Sequence, residues 1–160
     1  MNPPTSPSPG DLDRISEVLP YLCIGSYGAA ENAAYLEEEG ITQVVCLLEE
    51  YPESVASLPN LCTPMSDYGE SDIRLLLTDV VPFIEDARET GGRVLVFCAL
   101  GINRSPALVA GYLRAELGCS AGEAVSKITL SRPFVSIHEK YISQLEELDG
   151  AQRVITREIS

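Results

Sequence analysis

The residues with the clearest capacity for chemistry are a cysteine and an arginine in the second half of the chain, Cys98 and Arg104. Five residues separate them, and one of the five is Gly101. An arginine can bind two oxygens of a phosphate group at once, and its positive charge favours the thiolate form of a nearby cysteine. A thiolate can attack phosphorus as a nucleophile. The spacing therefore indicates a site that binds a phosphate monoester and attacks it.

The residues on either side predict the elements that position this pair. Residues 94–97 form a short apolar run that predicts a buried strand. Ser105 and Pro106 open an apolar segment that predicts a helix to residue 117, with Ser105 as the N-cap and Pro106 in the first turn. A loop between a strand and a helix N-terminus can direct several backbone N–H groups at an anion. Gly101 leaves such a loop free to turn, and the Ser105 hydroxyl is placed to hydrogen-bond the sulfur.

This segment resembles the Cys-x5-Arg-Ser signature of the protein tyrosine phosphatase superfamily, in its compact dual-specificity branch. Cys98, Gly101, Arg104 and Ser105 match the family pattern, which is roughly His-Cys-x-x-Gly-x-x-Arg-Ser, whereas Phe97 replaces the His. The resemblance covers roughly residues 15–148. It implies that consecutive residues form a phosphate-binding loop, namely Cys98, Ala99, Leu100, Gly101, Ile102, Asn103 and Arg104.

The resemblance also implies a carboxylic acid that protonates the leaving oxygen and later accepts a proton from water. Asp67 is the candidate, because it lies in a Ser-Asp-Tyr-Gly loop between a predicted strand and a long predicted helix, as the family's general acid does. The alternative is that this aspartate only caps a turn. Glu70 and Asp72 are nearby carboxylates, and Asp72 is better placed at the N-terminus of the following helix. The predicted catalytic residues are thus Cys98, Arg104, Asp67 and Ser105.

These residues predict a metal-independent protein phosphatase that needs no cofactor. The resemblance implies that it hydrolyses phosphotyrosine, phosphoserine and phosphothreonine esters through a phosphocysteine intermediate. Phe97 supports an alternative, because it donates no hydrogen bond to the loop where relatives have His. The thiolate would then be less stabilised, which predicts reduced activity at neutral pH, or a phosphatase-like protein that binds phosphoproteins with little or no turnover. A sulfurtransferase-type cysteine loop is a weaker candidate, because the spacing and the Asp67 loop fit phosphatases better.

The alternation of strand and helix patterns predicts an α/β fold. Its mostly parallel central sheet would have about five strands with helices on both faces, as in the cysteine phosphatases. Active sites in such sheets lie at the carboxyl ends of strands, which is where Cys98 would be. The predicted strands are 18–24, 41–48, 61–65 and 94–97, and the predicted helices are 29–39, 73–90, 107–117, 120–131 and 137–148, with a loop and a short helical turn within 51–59.

The composition places these elements in a single domain. The 160 residues are 45% apolar and 22% charged, which is typical of a globular protein. We expect a disordered Pro/Ser-rich tail over 1–12, the catalytic domain over 13–150 and a second tail over 151–160. The net charge of −13 argues against nucleic acid or an anionic membrane as a partner, because both bind basic surfaces. No apolar run is long enough to span a bilayer.

The five cysteines include no Cys-x-x-Cys pair and the chain has one histidine, His138, which argues against a zinc site. This cysteine usage predicts a reducing location, the cytoplasm, with the nucleus as a second compartment. Cys46 lies on a strand predicted to neighbour the one that ends at Cys98. It is either a small buried apolar side chain or the partner of Cys98 in a protective disulfide. His138 is expected at the surface or as a helix cap.

The interior of the predicted phosphate loop contains no lysine, although relatives that act on inositol phospholipids tend to have basic residues there. Together with the acidic composition, this favours a phosphoprotein substrate over a phosphoinositide or an RNA 5′-phosphate. The sequence leaves the oligomeric state open.

Overall fold

The fold is built on a five-stranded sheet whose strand order is β1-β2-β5-β3-β4. A computed structural model of the chain describes residues 9–148. Strand β1 runs antiparallel to β2, and the remaining neighbours are parallel. The strands are β1 (Ser16–Leu19), β2 (Leu22–Ser26), β3 (Gln43–Cys46), β4 (Asn60–Cys62) and β5 (Val94–Cys98).

Eight helices accompany the sheet within the described residues. They are α1 (Pro9–Leu12), α2 (Tyr27–Ala30), α3 (Ala33–Glu38), α4 (Glu53–Ala56), α5 (Ile73–Glu89), α6 (Arg104–Leu117), α7 (Ala121–Ser131) and α8 (Glu139–Glu147). The larger core cluster joins the sheet to α5, α6, α7 and α8, and the smaller cluster joins it to α2, α3 and α4. Strands β2 and β5 are buried along their whole length, because both faces of the sheet are covered. The predicted α/β fold is confirmed.

The start of the fold differs from its prediction, because 18–24 is not one strand. Strands β1 and β2 form an antiparallel pair in which Leu19 lies opposite Leu22. The chain turns at Pro20 and Tyr21, and proline has no N–H with which to continue a strand ladder. The apolar pattern on either side gave no sign of this reversal.

The predicted helix over 29–39 is also wrong in detail, since it consists of α2 and α3. Asn32 separates them, and its side-chain oxygen accepts a hydrogen bond from the N–H of Tyr35 at 3.1 Å. An asparagine in this position starts a new helix rather than continuing the old one. The predicted helix over 73–90 is present as α5, which contains Pro82, and the predicted helix over 120–131 is present as α7, which begins with a capping box between Ser120 and Glu123.

Within the stretch over 1–12 that was predicted to be a disordered tail, residues 9–12 form α1. The carbonyl of Leu12 accepts a hydrogen bond from the buried guanidinium of Arg132 at 3.0 Å, which ties this end of the chain to the domain. The rest of that tail, residues 1–8, and the predicted C-terminal tail over 151–160 lie outside the described residues. Among residues 9–148, no helix is long and apolar enough to cross a membrane.

Candidate active site

Strand β5 brings Cys98 to the carboxyl edge of the sheet, and α6 begins directly after the loop that follows it. Only 2% of Cys98 is exposed, and its Sγ lies 3.3 Å from the Oγ of Ser105. Ser105 was predicted to be the N-cap of this helix, and that prediction is wrong. Asn103 occupies the N-cap position and Ser105 lies inside the first turn, so that its hydroxyl faces the sulfur.

The loop between Cys98 and α6 has a shape that only glycine allows at its centre. Gly101 has a φ of 70°, in the left-handed region. A Cβ there would lie 2.6 Å from Nη2 of Arg132 and 2.8 Å from the carbonyl oxygen of Gly25. Because both of these neighbours are fixed in the interior, a larger residue would displace the loop.

Arg132 supports the loop through hydrogen bonds to its backbone carbonyls, a function that the sequence did not predict. Its Nε donates to the Gly101 carbonyl at 2.7 Å and its Nη2 to the Leu100 carbonyl at 3.0 Å. In a trans peptide the N–H points opposite to the carbonyl. The amides that follow Leu100 and Gly101 therefore point away from Arg132. Successive amides in a loop of this kind can bind an anion.

Arg132 remains a cation although only 1% of it is exposed. Burial lowers the pKa of its guanidinium to about 10, which still leaves it protonated at neutral pH. Further hydrogen bonds to the Arg14 carbonyl and the Ser16 hydroxyl, and the face of the Phe134 ring at 4.6 Å, surround the charge. In the sequence, Arg132 is followed by Pro133 directly after the predicted helix over 120–131, and nothing local marks it as a loop-binding residue.

Arg104 is the first residue of α6, and its side chain extends to the cavity beside Cys98. Its Nη1 lies 3.4 Å from the Met65 carbonyl, and its Nε lies 3.4 Å from Oδ1 of Asp67. The first contact is at the long end for a hydrogen bond, and the second is an ion pair in which Nε makes no hydrogen bond to any described residue. The guanidinium is therefore held in place without being saturated, and it retains donors for an oxyanion.

Asp67 lies in the loop between β4 and α5, with about half of its side chain exposed. The side-chain amide of Asn103 donates to Oδ1 of Asp67 at 2.8 Å and to its main-chain carbonyl at 3.0 Å. The structure thus brings together the thiol, the cation and the carboxylate that the sequence selected. They line one cavity of about 130 Å³, and its walls are Asp67, Cys98, Ala99, Leu100, Ile102, Asn103 and Arg104.

Comparison with known proteins identifies the family of this fold and site. Residues 22–150 match the family described as the catalytic domain of dual specificity phosphatases. The chain belongs to the dual specificity phosphatase family. It is 27% identical to dual specificity protein phosphatase 1 of Arabidopsis thaliana over 134 residues, which are 83% of this chain and 68% of that protein. It is 30% identical to dual specificity protein phosphatase 15 of Mus musculus over 137 residues, 86% of this chain and 58% of the relative.

Solved structures of the family have the same fold. The crystal structure of DUSP15 superposes with a TM-score of 0.83 at 25% identity, covering 91% of this chain and 94% of that one. Human DUSP28 superposes with a TM-score of 0.77 at 26% identity, covering 94% and 96% of the two chains.

Phe97 departs from the dual specificity phosphatase pattern, and the structure shows what it contacts. It is fully buried and belongs to the smaller core cluster, whereas Cys98 belongs to the larger cluster on the other face of the sheet. The side chain before Cys98 therefore contributes packing and no hydrogen bond. The loop is instead attached to the start of α2 through its own backbone, because the N–H of Tyr27 donates to the Ala99 carbonyl at 3.1 Å.

The remaining candidates have structural positions in this dual specificity phosphatase domain. Asp72 caps α5 and accepts from the N–H of Leu75, and Glu70 lines a different cavity beside α5 and α8. His138 caps α8, as predicted. Among residues 9–148, no group of three or more His, Cys, Asp and Glu side chains is arranged to hold a metal ion.

Cys46 lies on β3, next to β5, and opposite Phe97 in the register. Its side chain is fully buried, and its thiol lies 3.6 Å from the Leu48 carbonyl. Burial raises the pKa of this thiol to about 11. All five cysteines are free. These contacts are those of a buried structural thiol, and a disulfide with Cys98 stays a prediction.

Proposed function

We propose that this chain is a cysteine-dependent protein phosphatase that hydrolyses phosphotyrosine, phosphoserine and phosphothreonine esters. The observation that carries the proposal is the small cavity lined by Cys98, Arg104 and Asp67, beside a loop whose Leu100 and Gly101 carbonyls are bound by Arg132. A nucleophile, an anion-binding group and an acid are the components that hydrolysis of a phosphate monoester needs. No step of the mechanism requires a metal ion or a cofactor.

In the first step, the Cys98 thiolate attacks phosphorus and forms a sulfur–phosphorus bond, while the ester bond to the substrate oxygen breaks. Arg104 and the loop amides bind the three other phosphate oxygens, where charge accumulates. Asp67 donates its proton to the leaving oxygen, so that tyrosine, serine or threonine departs as a neutral hydroxyl group.

In the second step, water attacks the phosphocysteine. The Asp67 carboxylate takes a proton from the water, the new oxygen–phosphorus bond forms, and the sulfur–phosphorus bond breaks. The Ser105 hydroxyl, 3.3 Å from Sγ, donates a hydrogen bond to the departing thiolate. Inorganic phosphate leaves, and the enzyme regains its starting protonation state.

The proposal is tested by the release of inorganic phosphate from three peptides of one sequence that carry phosphotyrosine, phosphoserine or phosphothreonine. We expect turnover of all three, since Leu100, which lines this cavity, and Tyr68, which lines the neighbouring cleft, are both exposed and leave the approach open. Rapid acid quenching should trap a phosphorylated cysteine at residue 98. Hydrolysis of the phosphotyrosine peptide alone would contradict dual specificity, and failure to hydrolyse any peptide would contradict the proposed activity.

A second cleft lies beside the cavity that contains Cys98, which is called the phosphate cavity below. This cleft indicates which residues of a substrate can flank the phosphorylated residue. This cleft of about 610 Å³ shares Asp67 and Arg104 with the phosphate cavity, and Glu49 lines it together with apolar residues. Among the described residues, no basic side chain except Arg104 lines either cavity. A lysine or arginine can place its aliphatic stem on apolar walls and its charge at a carboxylate. We therefore expect a preference for basic residues next to the phosphoresidue.

Glu49→Gln tests this preference. An exposed ion pair contributes up to about 1 kcal/mol, so kcat/KM for a peptide with a flanking arginine should fall by about two- to fivefold. The matched peptide with a flanking glutamine should change little. Glu53→Gln removes an exposed carboxylate of α4 that lines neither cavity, and serves as the control. Equal effects of Glu49→Gln on both peptides would contradict a cation-binding cleft.

Phe97 supports a second candidate function, a phosphoprotein-binding domain with little or no turnover. Phe97→His distinguishes the two candidates. We expect this substitution to lower the free energy of unfolding by about 2–3 kcal/mol, because the imidazole enters an apolar cluster. Phe97→Leu, which stays apolar, is the control for lost ring volume. Chemical denaturation measures the stability of both variants.

The activities of the same variants decide between the functions. A wild-type chain that binds phosphopeptides without turnover, and gains turnover only in Phe97→His, would be a binding domain. Turnover in the wild type that depends on Cys98 identifies the enzyme. A further gain in turnover in Phe97→His, absent in Phe97→Leu, would show that the residue at position 97 limits the reactivity of the Cys98 thiolate.

A further inference from the structure

Asn103 occupies the N-cap position of α6 but does not cap the helix. Asparagine at this position normally accepts a hydrogen bond from the second or third N–H of the helix, and here it makes no such bond. Its amide nitrogen donates to two oxygens of Asp67, and its amide oxygen accepts from the N–H of His138 at 2.6 Å. Both ends of the side chain are thus directed away from the helix that it precedes.

The orientation of this amide is determined by its partners. The two Asp67 oxygens are acceptors as carbonyl and carboxylate, and the His138 N–H is a donor. The flipped amide would place its oxygen against acceptors and its NH2 group against the N–H. Asn103 therefore connects the Asp67 loop, the phosphate loop and the start of α8 in one orientation only.

Helix α8 holds the same segment at two further points. The Tyr141 hydroxyl donates to the Ser66 carbonyl, and the Gln144 amide donates to the Ser71 carbonyl at 2.7 Å. These bonds fix the backbone on either side of Asp67 but do not touch its carboxylate. The carboxylate is contacted by Asn103 at 2.8 Å and by Arg104 at 3.4 Å.

The two contacts differ in what happens when a phosphate ester binds. The Arg104 guanidinium is then needed by the phosphate oxygens, so that its long contact to Asp67 competes with the substrate. Asn103 is neutral and can keep its bond to Oδ1 throughout. With Oδ1 occupied, Oδ2 is the oxygen left to carry the proton.

We infer that Asn103 is a positioning residue for the general acid, holding Oδ1 of Asp67 so that the proton on Oδ2 faces the leaving oxygen. This inference rests on the proposed function. The competing explanation is that Asn103 only maintains the shape of the phosphate loop. Loss of the side chain would then impair all phosphate esters equally and would weaken the binding of inorganic phosphate.

The test compares Asn103→Ala with the wild type on aryl phosphates whose leaving groups differ in basicity. General acid catalysis contributes about 10²–10⁴-fold, and most for a basic leaving group such as a phenolate with a pKa of about 10. We expect kcat/KM of Asn103→Ala to fall by about 10- to 100-fold for phenyl phosphate. For a nitrophenyl phosphate, whose leaving group needs little protonation, the fall should be less than about threefold. Inhibition by inorganic phosphate should not change.

A double-mutant cycle with Asp67→Asn completes the experiment. If Asn103 acts through Asp67, adding Asn103→Ala to Asp67→Asn should cause little further loss on phenyl phosphate. Equal losses on all esters, weaker inhibition by phosphate, or additive effects in the double mutant would overturn the inference while leaving the phosphatase activity standing. A wild-type chain without Cys98-dependent turnover would overturn the proposed function, and the inference with it. Thermal unfolding of each variant is measured to test whether the fold is retained.

Discussion

Cys98→Ser is expected to abolish the release of phosphate while leaving the fold and the phosphate site intact. The serine hydroxyl is nearly the same size as the thiol but is not ionised near neutral pH, so the attacking anion is lost. Removal of a nucleophile lowers kcat by at least about 10⁴-fold in well-studied hydrolases. Since Arg104 and the loop amides remain, the variant should still bind a phosphopeptide and should act as a substrate trap.

The measurements are phosphate release from an aryl phosphate, phosphopeptide binding by calorimetry and thermal unfolding. Cys62→Ser is the matched control, because Cys62 is exposed on β4 and lines neither of the two clefts beside Asp67. It should retain wild-type turnover. Substantial turnover by Cys98→Ser would mean that another group attacks phosphorus, and equal losses in both variants would indicate an indirect effect on the fold.

Much of the fold and of this site follows from local patterns in the sequence. The apolar run over 94–97 ends at the cysteine, and the glycine, arginine and serine follow at fixed spacings. Such signals lie within about a dozen residues, where periodicity and capping act directly. The same holds for α5, whose apolar stripe is clear despite Pro82. Asp67 was found from its loop context and the family resemblance, and the structure places it at the cavity.

The contacts that shape the loop were not predictable in this way, because they join residues distant in the sequence. Arg132 lies beyond α7 yet donates to the carbonyls of Leu100 and Gly101. Asn103 was predicted as a loop residue, but its bond to His138 depends on where α8 packs. No single-sequence pattern specifies such pairs, since any polar side chain at these positions fits the local propensities equally well.

Arg104→Lys is expected to cause the second largest loss, although it preserves the positive charge. The guanidinium presents paired N–H groups that match two phosphate oxygens, whereas an ammonium group is a point charge on a flexible stem. Loss of one well-placed donor to a charge that develops in the transition state costs about 10²–10³-fold in rate. We expect kcat/KM to fall by about this factor, with weaker inhibition by inorganic phosphate.

Stability should change little in Arg104→Lys, because the contact of Arg104 with Asp67 is 3.4 Å long and the Asp67 side chain is half exposed. The control is Arg88→Lys, which makes the same substitution at an exposed arginine of α5 that pairs with Glu85. Because Arg88 lines neither cleft, its variant should keep wild-type kinetics. If Arg104→Lys also kept them, charge alone would suffice for phosphate binding, and the paired geometry of the guanidinium would have no part in catalysis.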